Sequence, residues 1–316
     1  MVVRRTVGVV LLALTLGVHA AAGETERKRA IPKQRAPNAD AVRATLPSPA
    51  QDDYRIFAVR VGHSSTARRN LFIADRTLPK RIEVAFAFWI IEGNGRLILV
   101  DTGFTNRHLI DRWNIVDYRA PEAALKAAGF RPDQVTDIVL THNHWDHIGG
   151  LSRFPVGTIH TAQKRGGIPK TGGGPIVRRL QTAKKENRLH VVDGTEQIAP
   201  GVAVVPVGLH APGFQYIAVR NNDGIWIIAS DIAPLYANFR RETPTGQTDD
   251  SAATLQVQRT ILDLVDGDLR RIVPGHEPSL FCDGATVIEV TGTNHLSGSS
   301  GHPCPDNRAD SASSDR

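Results

Sequence analysis

Cysteine is nearly absent, with two in 316 residues, far too few for a disulfide framework. Long apolar runs are missing as well. After the first 22 residues every apolar stretch is of strand length and broken by Gly, Pro or charge, so nothing later holds the roughly 20 apolar residues that a spanning helix needs. No repeat of about 20 to 50 residues recurs, which excludes solenoids and propellers. The glycine-rich segment 166–174 lacks the Gly-Lys-Ser/Thr order of a phosphate loop, so a nucleotide reading fails, and no Ser or Cys nucleophile motif stands out. What remains is the composition of a globular protein, 41% hydrophobic and 22% charged, long enough for one large domain or two small ones.

The N-terminus stands apart. Arg4 and Arg5 precede an apolar run from Val7 to Val18, followed by Ala20, Ala21 and Ala22. Charged start, short apolar centre and small-residue exit give the order of a cleavable secretory signal over residues 1–22, an uncleaved anchor being the alternative. The expectation is a periplasmic or secreted protein with no stable membrane insertion after cleavage. Residues 23–51 read as a flexible basic linker, with four prolines, the cluster Arg27-Lys28-Arg29 and few large apolar side chains. Signal and linker carry most of the formal net charge of +6 and leave the rest at about +1, so no nucleic-acid footprint is indicated. Residues 52–282 are then the folded domain and 283–316 a largely disordered tail. A disulfide between Cys282 and Cys304 would tie that tail down; two unpaired thiols are the alternative.

Within the domain, Tyr54 to Val61, Glu83 to Ile91 and Arg96 to Asp101 read as strands, the last two joined at Gly93-Asn94-Gly95. Pro121 opens a helix that Gly129 closes, and Asp137 to Leu140 is a short buried strand. Further strands are expected at Leu189 to Val192, Val202 to Val207, Gln215 to Arg220, Ile225 to Ala229 and Arg271 to Val273, with a helix from about Asp249 to Leu264. Two β-rich halves with helices of their own imply an α/β fold in which two sheets pack face to face with helices outside, a four-layered αββα sandwich.

The most informative stretch is Thr141-His142-Asn143-His144-Trp145-Asp146-His147. In extended chain, His142 and His144 point to one side and grip one metal together, while Asp146 and His147 face a second. Imidazole and carboxylate are ordinary zinc ligands. A metal held only by this segment is short of ligands, and strand ends supply more: His210 in Gly-Leu-His-Ala-Pro-Gly, Asp231 in Ala-Ser-Asp, and His276 in Pro-Gly-His. His142, His144 and His210 then hold one metal, Asp146, His147 and His276 the other, and Asp231 bridges them, with positions left for water and substrate.

His-x-His-x-Asp-His, Gly-x-His-x-Pro-Gly, Ser-Asp and Pro-Gly-His, in that order, resemble the metallo-β-lactamase superfamily from about residue 54 to 280. Phe88-Trp-Ile-Ile-Glu-Gly, Val100-Asp-Thr-Gly-Phe, Ile138-Val-Leu-Thr, Gly213-Phe-Gln and Ala229-Ser-Asp with Tyr236-Ala-Asn look most like its N-acyl-homoserine lactonases. The resemblance implies an αββα fold, two Zn2+ ions per chain, a small-molecule lactone substrate, ring opening by a metal-activated hydroxide (quorum quenching), and Asp101 as a residue that orients metal-binding groups. Asp146 is the candidate to orient the nucleophile and carry a proton, with Asp231 as the bridging carboxylate. Two departures stand out: Leu209 occupies a position where many relatives have Gly, and Pro234 one where some lactonases have a substrate-steadying Tyr. Tyr236 is the catalytic candidate in its place. Rival readings are thioester hydrolysis, a β-lactamase, which the carboxylate at Asp231 argues against, and a non-catalytic zinc-binding envelope protein. The oligomeric state stays open.

Overall fold

The structure, a computed structural model, describes residues 37–48, 53–162 and 174–291. The segment read as a signal, Cys304, the side chain of Cys282 and Gly166 to Gly173 of the glycine-rich stretch lie outside the described residues.

In chain order the helices are α1 (Ala39–Ala44), α2 (Arg107–Arg112), α3 (Pro121–Ala127), α4 (Trp145–Ile148), α5 (Pro175–Lys185), α6 (Tyr236–Arg240) and α7 (Ser251–Leu264). The strands are β1 (Arg55–Arg68), β2 (Arg81–Gly93), β3 (Arg96–Val100), β4 (Asp137–Leu140), β5 (Thr158–Thr161), β6 (Leu189–Val191), β7 (Glu196–Ala199), β8 (Val202–Pro206), β9 (Gln215–Asn221), β10 (Gly224–Ser230), β11 (Ile272–Pro274) and β12 (Val287–Glu289). They form a seven-stranded sheet in the order β12-β1-β2-β3-β4-β5-β6 and a five-stranded sheet in the order β11-β10-β9-β8-β7.

Strand periodicity builds the layers. Successive side chains on β1 point to opposite faces, so Ile56 and Ala58 enter one apolar cluster while Phe57, Val59 and Val61 enter another. The first lies between the sheets, where Trp89, Ile98 and Val139 meet Val204, Ile217, Trp226 and Ile228. The second packs the outer face of the large sheet against Leu125 of α3 and Leu180 and Ala183 of α5. A third cluster covers the outer face of the small sheet with Val257, Ile261 and Leu264 of α7. Helix, sheet, sheet, helix is the αββα order. Because the first half of β1 and the centre of β2, Val84 to Ile91, are covered on both sides, they read as nearly continuous apolar runs rather than clean alternations. The turn between β2 and β3 is two residues long: Asn94 and Gly95 sit at φ +51° and +68°, the doubly left-handed geometry that matches strand twist.

Two of the domain boundaries differ from the sequence reading, and β1 runs on to Arg68, beyond the expected end at Val61. The stretch 23–51, expected to be flexible throughout, contains α1, whose start is capped by the Asn38 side chain accepting from Ala41 N–H at 2.9 Å. Ala39, Val42 and Leu46 are buried in the cluster beneath α7, and Arg43 donates to the carbonyl of Asp263. The tail, expected to begin at 283, instead continues into β12, which pairs with β1 at Phe57, Ala58 and Val59. Val290 N–H donates to Ile56 O at 2.7 Å and the Val290 side chain is buried. Among the described residues, no helix is long and apolar enough to cross a membrane.

Candidate metal centre

β3 and β4 run parallel in one sheet, β10 and β11 parallel in the other, and β8 is parallel to β10 across β9. Their C-terminal ends therefore open at one edge of the sandwich. The residues beyond those ends are Asp101, His142 to His147, His210, Asp231 and His276.

The seven expected ligands come together in two groups. His142, His144, His210 and Asp231 offer ligand atoms all within 4.8 Å of one another, and so do Asp146, His147 and His276. Asp231 faces both. Its Oδ1 lies 3.4 Å from His147 Nε2 and 3.3 Å from His276 Nε2, and its Oδ2 lies 3.4 Å from His210 Nε2 and 3.9 Å from His142 Nε2. Asp146 Oδ2 is 3.7 Å from His147 Nε2 and 3.6 Å from His276 Nε2. α4 makes the Asp146 and His147 placement: the chain leaves the extended path at His144 and turns into this one-turn helix, which sets the His147 ring 4.0 Å from that of His142, with its Nε2 toward Asp231 Oδ1 and Asp146 Oδ2.

The bonds made by the outward ring nitrogens set which nitrogens face inward. His147 Nδ1 donates to Asp101 Oδ2 at 2.7 Å, His210 Nδ1 to the carbonyl of Gln247 at 2.9 Å, and His276 Nδ1 to the carbonyl of Ala85 at 2.9 Å. An acceptor on Nδ1 fixes the tautomer that leaves a lone pair on Nε2. His144 is the exception, with Nδ1 turned inward, 3.1 Å from His210 Nε2. Rings hold the imidazoles laterally: Phe72 and Phe86 meet His276 edge-on at 5.0 and 5.4 Å, and Phe214 lies 5.4 Å from His142.

Burial pushes the basicity of His142 well down, also lowers that of His144, and takes His210 to about 4, so these three are neutral ligands near neutral pH. Burial acts the same way on His147 and His276, but there the carboxylates outweigh it: Asp231, Asp146 and Asp101 raise His147 well above its ordinary value, and Asp231 and Asp146 raise His276. Asp231 is held well below the carboxylate range, because the imidazoles of His276 and His147 outweigh the burial that would raise it.

These residues fit a pair of divalent cations on chemical grounds. Among the described residues, His142 Nε2, His147 Nε2 and Asp231 Oδ1 are buried without a hydrogen-bond partner, a costly arrangement for three polar atoms that converge, and one that cation ligation relieves.

Tyr236 is placed differently from the other catalytic candidates. Its hydroxyl donates to the carbonyl of Ile272 at 2.9 Å, its backbone N–H to Glu277 Oε2 at 2.8 Å, and burial raises its pKa. The hydroxyl thus ties α6 to β11 rather than reaching for a substrate carbonyl. The residues that sequence reasoning missed are the partners of the ligands: Gln247, Ala85, Thr141 and Ser230. Gln247 and Ala85 act through backbone carbonyls, which no side-chain motif encodes. Thr141 and Ser230 adjoin ligands and gave that positional signal alone.

The fold and the two ligand groups define a class, the metallo-β-lactamase-fold proteins. The metallo-β-lactamase superfamily model matches residues 87–276, and the chain belongs to that superfamily. A probable metallo-hydrolase of Mycobacterium tuberculosis is 32% identical over 157 residues, 41% of this chain and 51% of that one. An N-acyl homoserine lactonase of Bacillus thuringiensis is 24% identical over 162 residues, 50% of this chain and 58% of the relative. The chain thus spans about half the length of the curated relatives it matches. Among solved structures, a quorum-quenching N-acyl homoserine lactone lactonase superposes with a TM-score of 0.58 at 19% identity, covering 73% of this chain and 95% of that one. A dizinc quorum-quenching lactonase in complex with a product gives 0.52 at 16%, covering 74% and 92%.

Proposed function

We propose that this protein is an exported dizinc hydrolase that opens the ring of N-acyl-homoserine lactones. The observation that carries the reading is the double-facing Asp231 carboxylate, one oxygen toward each histidine group, because a bridging carboxylate is the feature that makes two mononuclear sites into one dinuclear site. The lactonases among the relatives and solved structures support the choice of substrate class, and the apolar run behind Arg4 and Arg5 supports export.

His142, His144 and His210 would hold one zinc ion, Asp146, His147 and His276 the other, with Asp231 between them. When bound, such a pair supplies Lewis acidity, polarising a carbonyl and lowering the pKa of water. The chain's own groups do the rest. Asp146 is the more exposed of the two carboxylates, with 12% of its side chain accessible against 7% for Asp231, so it can exchange protons with solvent. It is the group to orient the attacking water and to hand the proton from that water to the ring oxygen as the ester bond breaks. The outer acceptors, Asp101 Oδ2 and the carbonyls of Gln247 and Ala85, keep His147, His210 and His276 from turning as charge moves. Ring opening by water needs no covalent intermediate.

The test is metal analysis of purified protein together with proton release from an N-acyl-homoserine lactone, a thioester and a β-lactam. The expected result is close to two zinc ions per chain and ring opening of the lactone, lost in Asp146→Asn. Fast β-lactam opening with an inert lactone would overturn the substrate, and protein that takes up no metal would overturn the chemistry. N-terminal sequencing of protein from the culture medium or periplasm checks the export, with a start near residue 23 expected.

A further inference from the structure

The hydroxyl of Thr141 lies outside every ligand set, yet it touches the supports of both. Thr141 Oγ1 is 2.7 Å from Asp101 Oδ2, 3.0 Å from His142 Nδ1 and 3.1 Å from Ser230 Oγ. A hydroxyl has one proton and two lone pairs. The proton goes to the carboxylate at the shortest distance, so the lone pairs accept from His142 Nδ1–H and from Ser230 Oγ–H. That assignment leaves His142 Nε2 unprotonated and aimed at the first ligand group. Asp101 Oδ2 also accepts from His147 Nδ1 of the second group, and Ser230 adjoins the bridging Asp231.

The rest of Thr141 is tied down from both sheets. Its N–H donates to Asp101 Oδ1 at 2.8 Å, beyond the end of β3, and its carbonyl accepts from Gln215 N–H at 2.9 Å, at the start of β9. Two of its partners have left-handed backbones, Asp101 at φ +64° and Ser230 at φ +46°. Residues other than glycine stay in that region only where the surroundings over-determine them. All these groups are buried.

We propose that Thr141, with Ser230, is a positioning pair whose hydroxyls set the His142 tautomer and link the two metal-binding groups, so that one side chain governs affinity at both. The inference rests on the dinuclear metal reading above. Thr141→Val keeps the shape and removes the hydroxyl; Thr141→Ser keeps the hydroxyl. Zinc affinities of the full chain are measured by competition with a chromophoric chelator, cobalt absorption spectra report ligand geometry, and melting is followed in excess EDTA. Thr141→Val is expected to lose about 10- to 100-fold in affinity at both positions, the usual scale for losing an outer partner of a metal ligand. Its metal-free melting temperature should fall by no more than about 10 °C, the cost of unpairing the buried partners of one hydroxyl, and Thr141→Ser should restore most of the affinity. Ser230→Ala is expected to show a smaller loss of the same kind. The proposal fails if Thr141→Val keeps both affinities, if Thr141→Ser is as weak as Thr141→Val, or if the metal-free Thr141→Val protein melts far lower, which would mark a packing role. Failure of the metal reading itself would look different: the unaltered protein would bind no zinc at all.

Discussion

A Cβ placed at Gly275 would lie 2.5 Å from Asp231 Oδ1 and 2.8 Å from the carbonyl carbon of Ser230. The residue before His276 is therefore glycine because the Asp231 carboxylate occupies the space a side chain would need. Gly275→Ala must displace Asp231 or the backbone behind it, and neither is the flexible end of a long side chain. The expected outcome is a loss of about tenfold or more in zinc affinity, as for other disturbances of ligand orientation, with little change in the far-ultraviolet circular dichroism; unchanged zinc titration would show that the site tolerates the shift. Legibility at this scale divides along chemical lines. Imidazoles and carboxylates at strand ends announce themselves, and His142, His144, Asp146, His147, His210, Asp231 and His276 all converge. A backbone carbonyl such as that of Ala85 carries no mark in the sequence, and Tyr236 stands in for the Tyr that Pro234 replaces on residue type alone, which says nothing of where α6 sends its hydroxyl.

At the scale of elements, the parallel strands β3, β4 and β5 are pinned at the end away from the metal centre by a buried polar cluster. Asp137 at the start of β4 accepts from Arg96 at 2.8 Å and from His160 Nε2 at 2.9 Å. Burial would raise the Asp137 pKa, but the imidazole of His160, the hydroxyl of Thr136 and the guanidinium of Arg96 together lower it. A carboxyl lowered in the folded state stabilises above the unfolded carboxylate value of about 3.9, and that contribution is lost as pH falls through the lower, folded value. Asp137→Asn should therefore cost about 2 kcal/mol at pH 7, the scale of hydrogen bonds to a charged group. Its difference from the parent should shrink below about pH 4. Urea melts at pH 7 and pH 3 check this; an equal gap at both would show that the ionised form contributes nothing. Most strands were readable because their apolar runs are bounded by turn residues. The short strands β5 and β7 and the helix α5 are not among the expected elements, nor are α1 and β12, each of these last two a short apolar set within a segment whose average composition is polar: Ala39, Val42 and Leu46 follow helical spacing for barely two turns. Averaging over Pro and charge hides them, and the places they take, beside α7 on the small sheet's outer face for α1 and along the β1 edge of the large sheet for β12, exist only in the folded molecule.

On the scale of the whole molecule, the two sheets meet at the metal-binding edge through groups that would repel or stay unsatisfied without a cation or protons to bind. His142 to His147 follow a strand of the large sheet, while His210, Asp231 and His276 follow strands of the small one, so zinc would join the halves of the sandwich. In the metal-free protein His147 and His276 are raised above the ordinary histidine value by the surrounding carboxylates. A raised imidazole stabilises the fold below its unfolded value of about 6.5, and that contribution is lost as pH rises through the folded value. Cations compete for the same nitrogens and must displace those protons. Zinc should accordingly stabilise most at alkaline pH and progressively less on acidification. With free zinc at about 100 times its dissociation constant, linkage gives about 2.7 kcal/mol, and at 2–4 °C per kcal/mol for a domain of this size the melting temperature should rise by about 5–10 °C. Thermal melts with zinc and with EDTA at pH 6, 7 and 8.5 provide the measurement. A zinc-induced shift that is absent, or that grows as pH falls, would mean that the carboxylate and imidazole groups at this edge are balanced by one another and not by metal.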